Sequence, residues 1–231
     1  MSLFSKKEEL KLWPTNVGIY EFSDVTDLNA QLYFDCTQQI NALKNQIGDQ
    51  PHYVFSLDTP AAHQIAERLL EAFRDHLKMY DSDIGCRPGE LPRAFDNAPE
   101  MKMKDIIDIW YFCIPAGVLH HERKLHNHSG SDFTSVYWVN VEDGADLEIF
   151  DPRWPDHNLR YTSYIQHTIQ AKPGKMVIAP GYTWHQVAPQ VNKSTRISMV
   201  TTIKLPSAHF PHHLKHSDEK HYMQEFPNWR R

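Results

Sequence analysis

The sequence predicts a mainly β domain, a jelly roll or sandwich, flanked by helices that form an N-terminal scaffold. Two observations predict it. From Asp105 onward, eight short segments rich in β-branched and aromatic residues follow one another, parted by turn signals such as Asp143-Gly144 and Pro173-Gly174. Before them, residues 1–80 hold one strand-like run and two stretches with helical spacing of apolar residues. The 231 residues contain no repeat and no Gly/Ser-rich linker, so one domain over 1–231 is expected.

The elements follow in order. Val17 to Phe22 reads as a strand. Leu28 to Ile47 reads as a helix, with Leu28, Leu32, Phe34, Ile40, Leu43 and Ile47 as its apolar positions. A second helix opens at Asp58 or Thr59 as N-cap with Pro60 in its first turn, and Ile65, Leu69, Leu70, Phe73 and Leu77 form its stripe. Residues 81–104 carry prolines and glycines without a sustained period and read as a loop, either a lid or a plain connection. The jelly-roll core is expected over 105–205. Its strands are Ile106–Ile114, Val118–Leu125, Phe133–Val141, Leu147–Phe150, Tyr161–Gln170, Lys175–Ile178, Trp184–Pro189 and Thr195–Leu205. The tail, 206–231, is rich in Pro and His and reads as irregular.

Composition narrows the function. A net charge of −5 gives no basic surface for nucleic acid or an anionic membrane, so neither is an expected partner. No apolar run reaches membrane-span length, and the first residues hold no apolar signal core. Cys36, Cys86 and Cys113 are odd in number and far apart, which suits a reducing cytoplasm better than a disulfide framework. Nothing in the sequence speaks to oligomeric state. Histidine is over-represented, with fifteen residues concentrated in the second half.

Two segments carry the chemistry. In LHNHSGSDFTSVYWV, His126 and His128 are spaced i, i+2, which on a strand turns both to one face and lets both grip one metal ion. In PGKMVIAPGYTWHQVAP, His185 offers a third imidazole from a later strand, leaving the opposite coordination face open. Arg196 follows one hairpin on. Its planar, permanently charged fork suits a carboxylate, and Ser198, of the same strand parity, offers a second hydrogen bond to it.

These segments resemble the Fe(II)/2-oxoglutarate oxygenase superfamily, nearest to the small 2OG-Fe(II) oxygenases of bacteria and phages. The resemblance runs through most of the chain: LWPTNVGIYEF with LNAQL at the start, HNHSGSDFTSVYWV, LEIFDPR, PGKMVIAPGYTWHQVAP and TRISM. It implies a double-stranded β-helix, Fe(II), 2-oxoglutarate as cosubstrate, and O2. It further implies hydroxylation of a C–H bond in a small-molecule or amino-acid-type substrate. By the same analogy Tyr137 contacts 2-oxoglutarate, while Arg153, Tyr182, Trp184 and Trp138 flank the mouth and hold substrate. The superfamily pattern is His-x-Asp/Glu, a distal His, then Arg, often as Arg-x-Ser. His185, Arg196 and Ser198 match it.

Position 128 departs from the pattern, being His where a carboxylate is usual. Either His128 is the second ligand, or Asp132 or Glu122 supplies a carboxylate. If position 128 does not bind at all, a halide could take its place, as in related halogenases. Two further readings stay open. One is a cupin-type dioxygenase with a three-His iron and no 2-oxoglutarate; the other is a non-catalytic metabolite-binding jelly roll with a structural His cluster.

Overall fold

A computed structural model describes residues 4–12, 15–77, 107–120, 125–142, 144–150, 166–188 and 190–204. The expected loop 81–104, the tail from 206, Arg153 and Glu122 lie outside the described residues. Among the described residues no helix is long and apolar enough to cross a membrane.

The chain opens with an antiparallel pair, β1 (Phe4–Leu12) and β2 (Thr15–Phe22). β1, FSKKEELKL, is an edge strand that sequence reading passed over, because its charges obscure any apolar alternation.

Helix α1 (Thr26–Ile47) ends at Gly48, which takes φ 76° and donates its N–H to the Lys44 carbonyl at 2.9 Å. Its buried stripe is Leu32, Cys36 and Ile40. Phe34 and Ile47, read from sequence as part of that stripe, are 56% and 58% exposed. After the short strand β3 (Tyr53–Phe55) comes α2 (Pro60–Leu77). Of the two N-cap candidates, Thr59 serves: its Oγ1 accepts from the Ala62 N–H at 3.3 Å and donates to Asp35 Oδ2 of α1 at 2.7 Å. The cap thus also ties the two helices together.

The remaining strands are β4 (Ile107–Ile114), β5 (Leu119–His120), β6 (Phe133–Asn140), β7 (Leu147–Phe150), β8 (Gln166–Ile169), β9 (Lys175–Pro180), β10 (His185–Val187), β11 (Gln190–Val191) and β12 (Arg196–Ile203). They form a seven-stranded sheet in the order β1-β2-β9-β6-β12-β4-β3, a three-stranded sheet β10-β7-β8 and a pair β11-β5. Every pairing is antiparallel, the crossing-over expected of a jelly roll. The turn into β9 is built by Pro173-Gly174. The Lys175 N–H donates to the Lys172 carbonyl at 3.0 Å, with Gly174 at φ 81°, a conformation that favours glycine.

The large sheet is covered on both faces, which explains why β12 is buried along its whole length. One face packs under the helices. Tyr137, Met199 and Ile203 join Leu32, Ile65, Phe73 and Leu77 there in one apolar cluster. The other face turns towards the small sheet, where Val136, Trp138 and Val177 meet Leu147, Ile149 and Val187. Burial of these side chains, at roughly 25 cal/mol per Å2 of apolar surface, is the main favourable contribution to such a layered fold.

Candidate metal centre

His185 begins β10 and pairs with Ile149 of β7, which turns its ring inward. Its Nδ1–H donates to the Thr183 carbonyl at 2.9 Å. A carbonyl can only accept, so Nδ1 carries the proton and the Nε2 lone pair is left for a ligand role.

His126 and His128 do not sit on a regular strand, contrary to the spacing argument. His126 makes an isolated antiparallel bridge with His185: His126 N–H to the His185 carbonyl at 3.1 Å, and the reverse bond at 2.9 Å. His128 belongs to the turn before β6. Its N–H donates to the Gly181 carbonyl at 2.7 Å, and Gly181 N–H donates to the Asp132 carbonyl at 2.9 Å. The two histidines converge through this backbone lacing, not through strand parity.

Gly181 is indispensable to it. A Cβ at that position would lie 2.0 Å from the Ser131 carbonyl oxygen and 2.6 Å from that of His128, and neither backbone atom has room to yield. The sequence signal for this was Pro180-Gly181 just ahead of the distal His, which marks a turn without revealing what packs on it.

The three rings come together with centroid separations of 4.5 Å (His126–His185), 5.2 Å (His126–His128) and 5.3 Å (His128–His185). One nitrogen from each lies within 4.8 Å of the others, the only such group of three potential metal-ligating side chains found among the described residues. His185 is buried and the other two are half-buried. Asp132 does not join the group, and its backbone is engaged with Gly181 and Ile203. The donor set fits a borderline divalent ion such as Fe(II).

The same cavity takes in Arg196 and Ser198. Both stand on β12 with one residue between them, paired with Ile114 and Phe112 of β4, so the parity read from sequence holds. Arg196 is only 2% exposed, a buried guanidinium lining the cavity of the imidazole cluster. Ser198 Oγ is buried and has no hydrogen-bond partner among the described residues. A buried cation and an unsatisfied hydroxyl aimed into one cavity suit an anionic ligand end.

Other sequence candidates fall elsewhere. Tyr137 is on the helix side of β6, fully buried, and its hydroxyl donates to Asn29 Oδ1 of α1 at 2.6 Å. Burial pushes its phenol pKa up, opposed by the Asn29 hydrogen bond. It does not line the cavity. Trp138 is on the inner face but packs into the core between the sheets. Tyr182 is 50% exposed, with its hydroxyl 3.4 Å from Thr15 Oγ1, and Trp184 offers its carbonyl to Phe150 N–H at 2.9 Å. Neither reaches the cavity.

Trp110 of β4 was passed over and belongs nearby. Its ring is tilted against His128 at 6.1 Å and packs with Phe112, which lines the cavity. Its i, i+2 relation to Phe112 was visible; the approach of the His128 turn was not.

A family model described as "Putative 2OG-Fe(II) oxygenase" matches residues 108–201, a span that holds all three histidines, Arg196 and Ser198. The curated proteins give no significant match. Among solved structures, the chain is similar to a Pseudomonas putida prolyl-4-hydroxylase, with 11% identity over 81% of this chain and 92% of that one, TM-score 0.50. It is similar also to AviO1 from Streptomyces viridochromogenes Tue57, with 11% identity, coverage of 83% and 90%, and TM-score 0.53. A third is the non-haem α-ketoglutarate-dependent carbocyclase SnoK from nogalamycin biosynthesis, with 8% identity, coverage of 81% and 79%, and TM-score 0.53. At such identities these likenesses speak for the jelly-roll fold alone. Over residues 108–201 the chain is thus similar to the 2OG-Fe(II) oxygenase family, whose name carries Fe(II) and 2-oxoglutarate.

Proposed function

We propose that this protein hydroxylates a C–H bond of a small-molecule or amino-acid-type substrate, with His126, His128 and His185 holding the iron and Arg196 with Ser198 holding 2-oxoglutarate. The observation that carries the reading is the meeting of three imidazole nitrogens within 4.8 Å beside a buried arginine in one cavity. When bound, Fe(II) and 2-oxoglutarate supply the activation of O2, with succinate and carbon dioxide as co-products.

The chain's own residues do the rest. Thr183 fixes the His185 tautomer, so that Nε2 is presented without rearrangement. Arg196 donates a pair of parallel N–H bonds to the far carboxylate of the 2-oxo acid, and Ser198 donates a further one. Phe112, Val136, Leu147 and Val200 wall the cavity and exclude water, which strengthens each of those charge-assisted bonds. His128 in place of the usual carboxylate leaves the ligand set neutral, and so the iron site more receptive to an anionic cosubstrate. The acidic chain and the absence of disulfide spacing accord with work in the cytoplasm.

A three-His set also suits a dioxygenase that needs no 2-oxo acid, but such an enzyme gives Arg196 no task. Anaerobic addition of Fe(II) and then 2-oxoglutarate decides between them. The visible charge-transfer band of the chelate is expected with the wild type. In Arg196→Ala, the 2-oxoglutarate concentration needed to form it should rise about 100-fold, the loss of roughly 3 kcal/mol in charge-assisted bonds. Iron bound with no band at any concentration overturns the 2-oxoglutarate reading.

A further inference from the structure

We propose that the cleft between the start of α1 and the end of β6 is a binding site for an uncharged small molecule, separate from the metal centre. The cleft has a volume of about 480 Å3 and is open to solvent. Small-molecule sites run from about 300 to 1,000 Å3, mostly apolar with a few placed polar groups. The cavity beside the imidazoles lies on the inner face of the large sheet. This cleft lies on the helix side, where Val139 shares a cluster with Tyr137 and Leu32. A molecule seated here has the sheet between itself and the histidines, so it is not the compound to be oxidised. The proposal does not depend on what those histidines hold.

The lining residues are of two kinds. Val25, Ala30, Val139 and Pro173 give an apolar floor. Thr26, Asn29, Tyr33, Asn140 and Ser194 supply hydrogen-bonding groups, and no charged side chain among the described residues lines the cleft. Asn29 points most directly to a ligand. It is only 8% exposed, and its Oδ1 accepts from the Tyr137 hydroxyl at 2.6 Å. Its Nδ2 has no hydrogen-bond partner among the described residues. An amide donor withdrawn from water and left unmatched is unfavourable, and an arriving oxygen relieves it. The helix adds donors of its own. Thr26 opens α1, and Val25 before it supplies no side-chain cap, so the first backbone N–H groups lack intrahelical partners.

These groups select the class of ligand. The donors call for a carbonyl oxygen, and the apolar floor calls for a hydrocarbon body. An anion is disfavoured by two carboxylates: Asp27 in the first turn of α1, and Glu142, which accepts from the Ser194 hydroxyl at 2.9 Å. A cation finds no carboxylate in the lining to pair with. Asn140 has its Nδ2 engaged with Ser194 Oγ at 3.1 Å and the Thr195 carbonyl at 2.7 Å. That leaves the Asn140 Oδ1 to meet a ligand N–H. An amide on an apolar ring carries both the acceptor and the donor.

Benzamide, benzoate and benzylamine share one shape and differ in charge, and together they test the site. Each is titrated into the isotope-labelled full chain while backbone and side-chain amide resonances are followed. Benzamide is expected to shift Asn29, Ala30 and Asn140 saturably, with a midpoint of about 1–10 mM, as suits a fragment of its size. Benzoate and benzylamine should bind at least about tenfold more weakly. Ala30→Leu, a helix-favouring change at an exposed position lining the cleft, should remove the benzamide shifts and leave the rest of the spectrum in place. A wild type that shows no saturable shift at these residues with benzamide overturns the proposal, whatever the variant does. Equal or tighter binding of either ion overturns the class of ligand, and shifts that survive in Ala30→Leu overturn the site.

Discussion

The two faces of β12 make opposite use of the same burial. Ile197, Met199 and Ile203 face the helices and are packed by apolar neighbours. Arg196 and Ser198, interleaved with them and equally buried, face a cavity. The contrast recurs on β6, where the Tyr137 hydroxyl is matched by Asn29 on the helix side, while Val136 on the inner face forms part of the site wall. The helix-side phenol is satisfied by the protein itself, whereas on the cavity side the Ser198 hydroxyl has no partner among the described residues. Orphaned hydroxyls alone do not identify that side. Ser135 and Thr201, opposite each other on β6 and β12 and on the helix side by strand alternation, are also without partners among the described residues. What distinguishes Ser198 is the company of a buried guanidinium and three imidazoles.

Substitutions on the two faces should therefore separate stability from chemistry. The largest effect is expected from Met199→Ala, which empties a fully buried position and should lower unfolding free energy by about 2–5 kcal/mol. Denaturant unfolding measures it, and the 2-oxoglutarate affinity of the folded fraction should not move. A shift in that affinity would mean the faces are coupled. Tyr137→Phe leaves the ring in place and strands Asn29, a cost of about 1 kcal/mol or a little more. Its KM for 2-oxoglutarate should equal the wild-type value, whereas a rise would return Tyr137 to the cosubstrate site. The smallest effect belongs to neither face. Glu142, at the sheet's end, accepts from the backbone N–H of Lys193 and from the Ser194 hydroxyl and N–H, which hold its carboxyl below its ordinary value of 4.5. A depressed carboxyl contributes stability above the unfolded value and loses it as pH falls through the folded one. The difference in melting temperature between wild type and Glu142→Gln should thus be present at neutral pH and fade below about pH 4.5.

Much of this was legible beforehand where a local rule decided it. Pro60 with the Ile65–Leu69–Phe73 stripe marked α2, and the alternation of Arg196 and Ser198 put both on one side of a strand. The reading of α1 slipped at Phe34 and Ile47, because apolar content alone does not say which helical face meets the sheet. Tyr137 and Trp138 illustrate the same limit on a strand: alternation separates them but cannot say which layer covers which face. Gly181 and Trp110 were beyond local rules altogether. Each matters through a segment distant in the chain, the Ser131 carbonyl for one and the His128 ring for the other.

The bridge between His126 and His185 has a consequence for how a metal centre at these histidines would form. Those two residues are far apart in the chain, and the bridge between them lies beside the β7–β10 pairing and the His128 turn on Gly181. Contacts of such long sequence separation form late and slowly in antiparallel β proteins. Until those pairings are made, the chain does not bring these three imidazoles together. A metal centre built on this trio would therefore be completed by tertiary folding and not by local sequence.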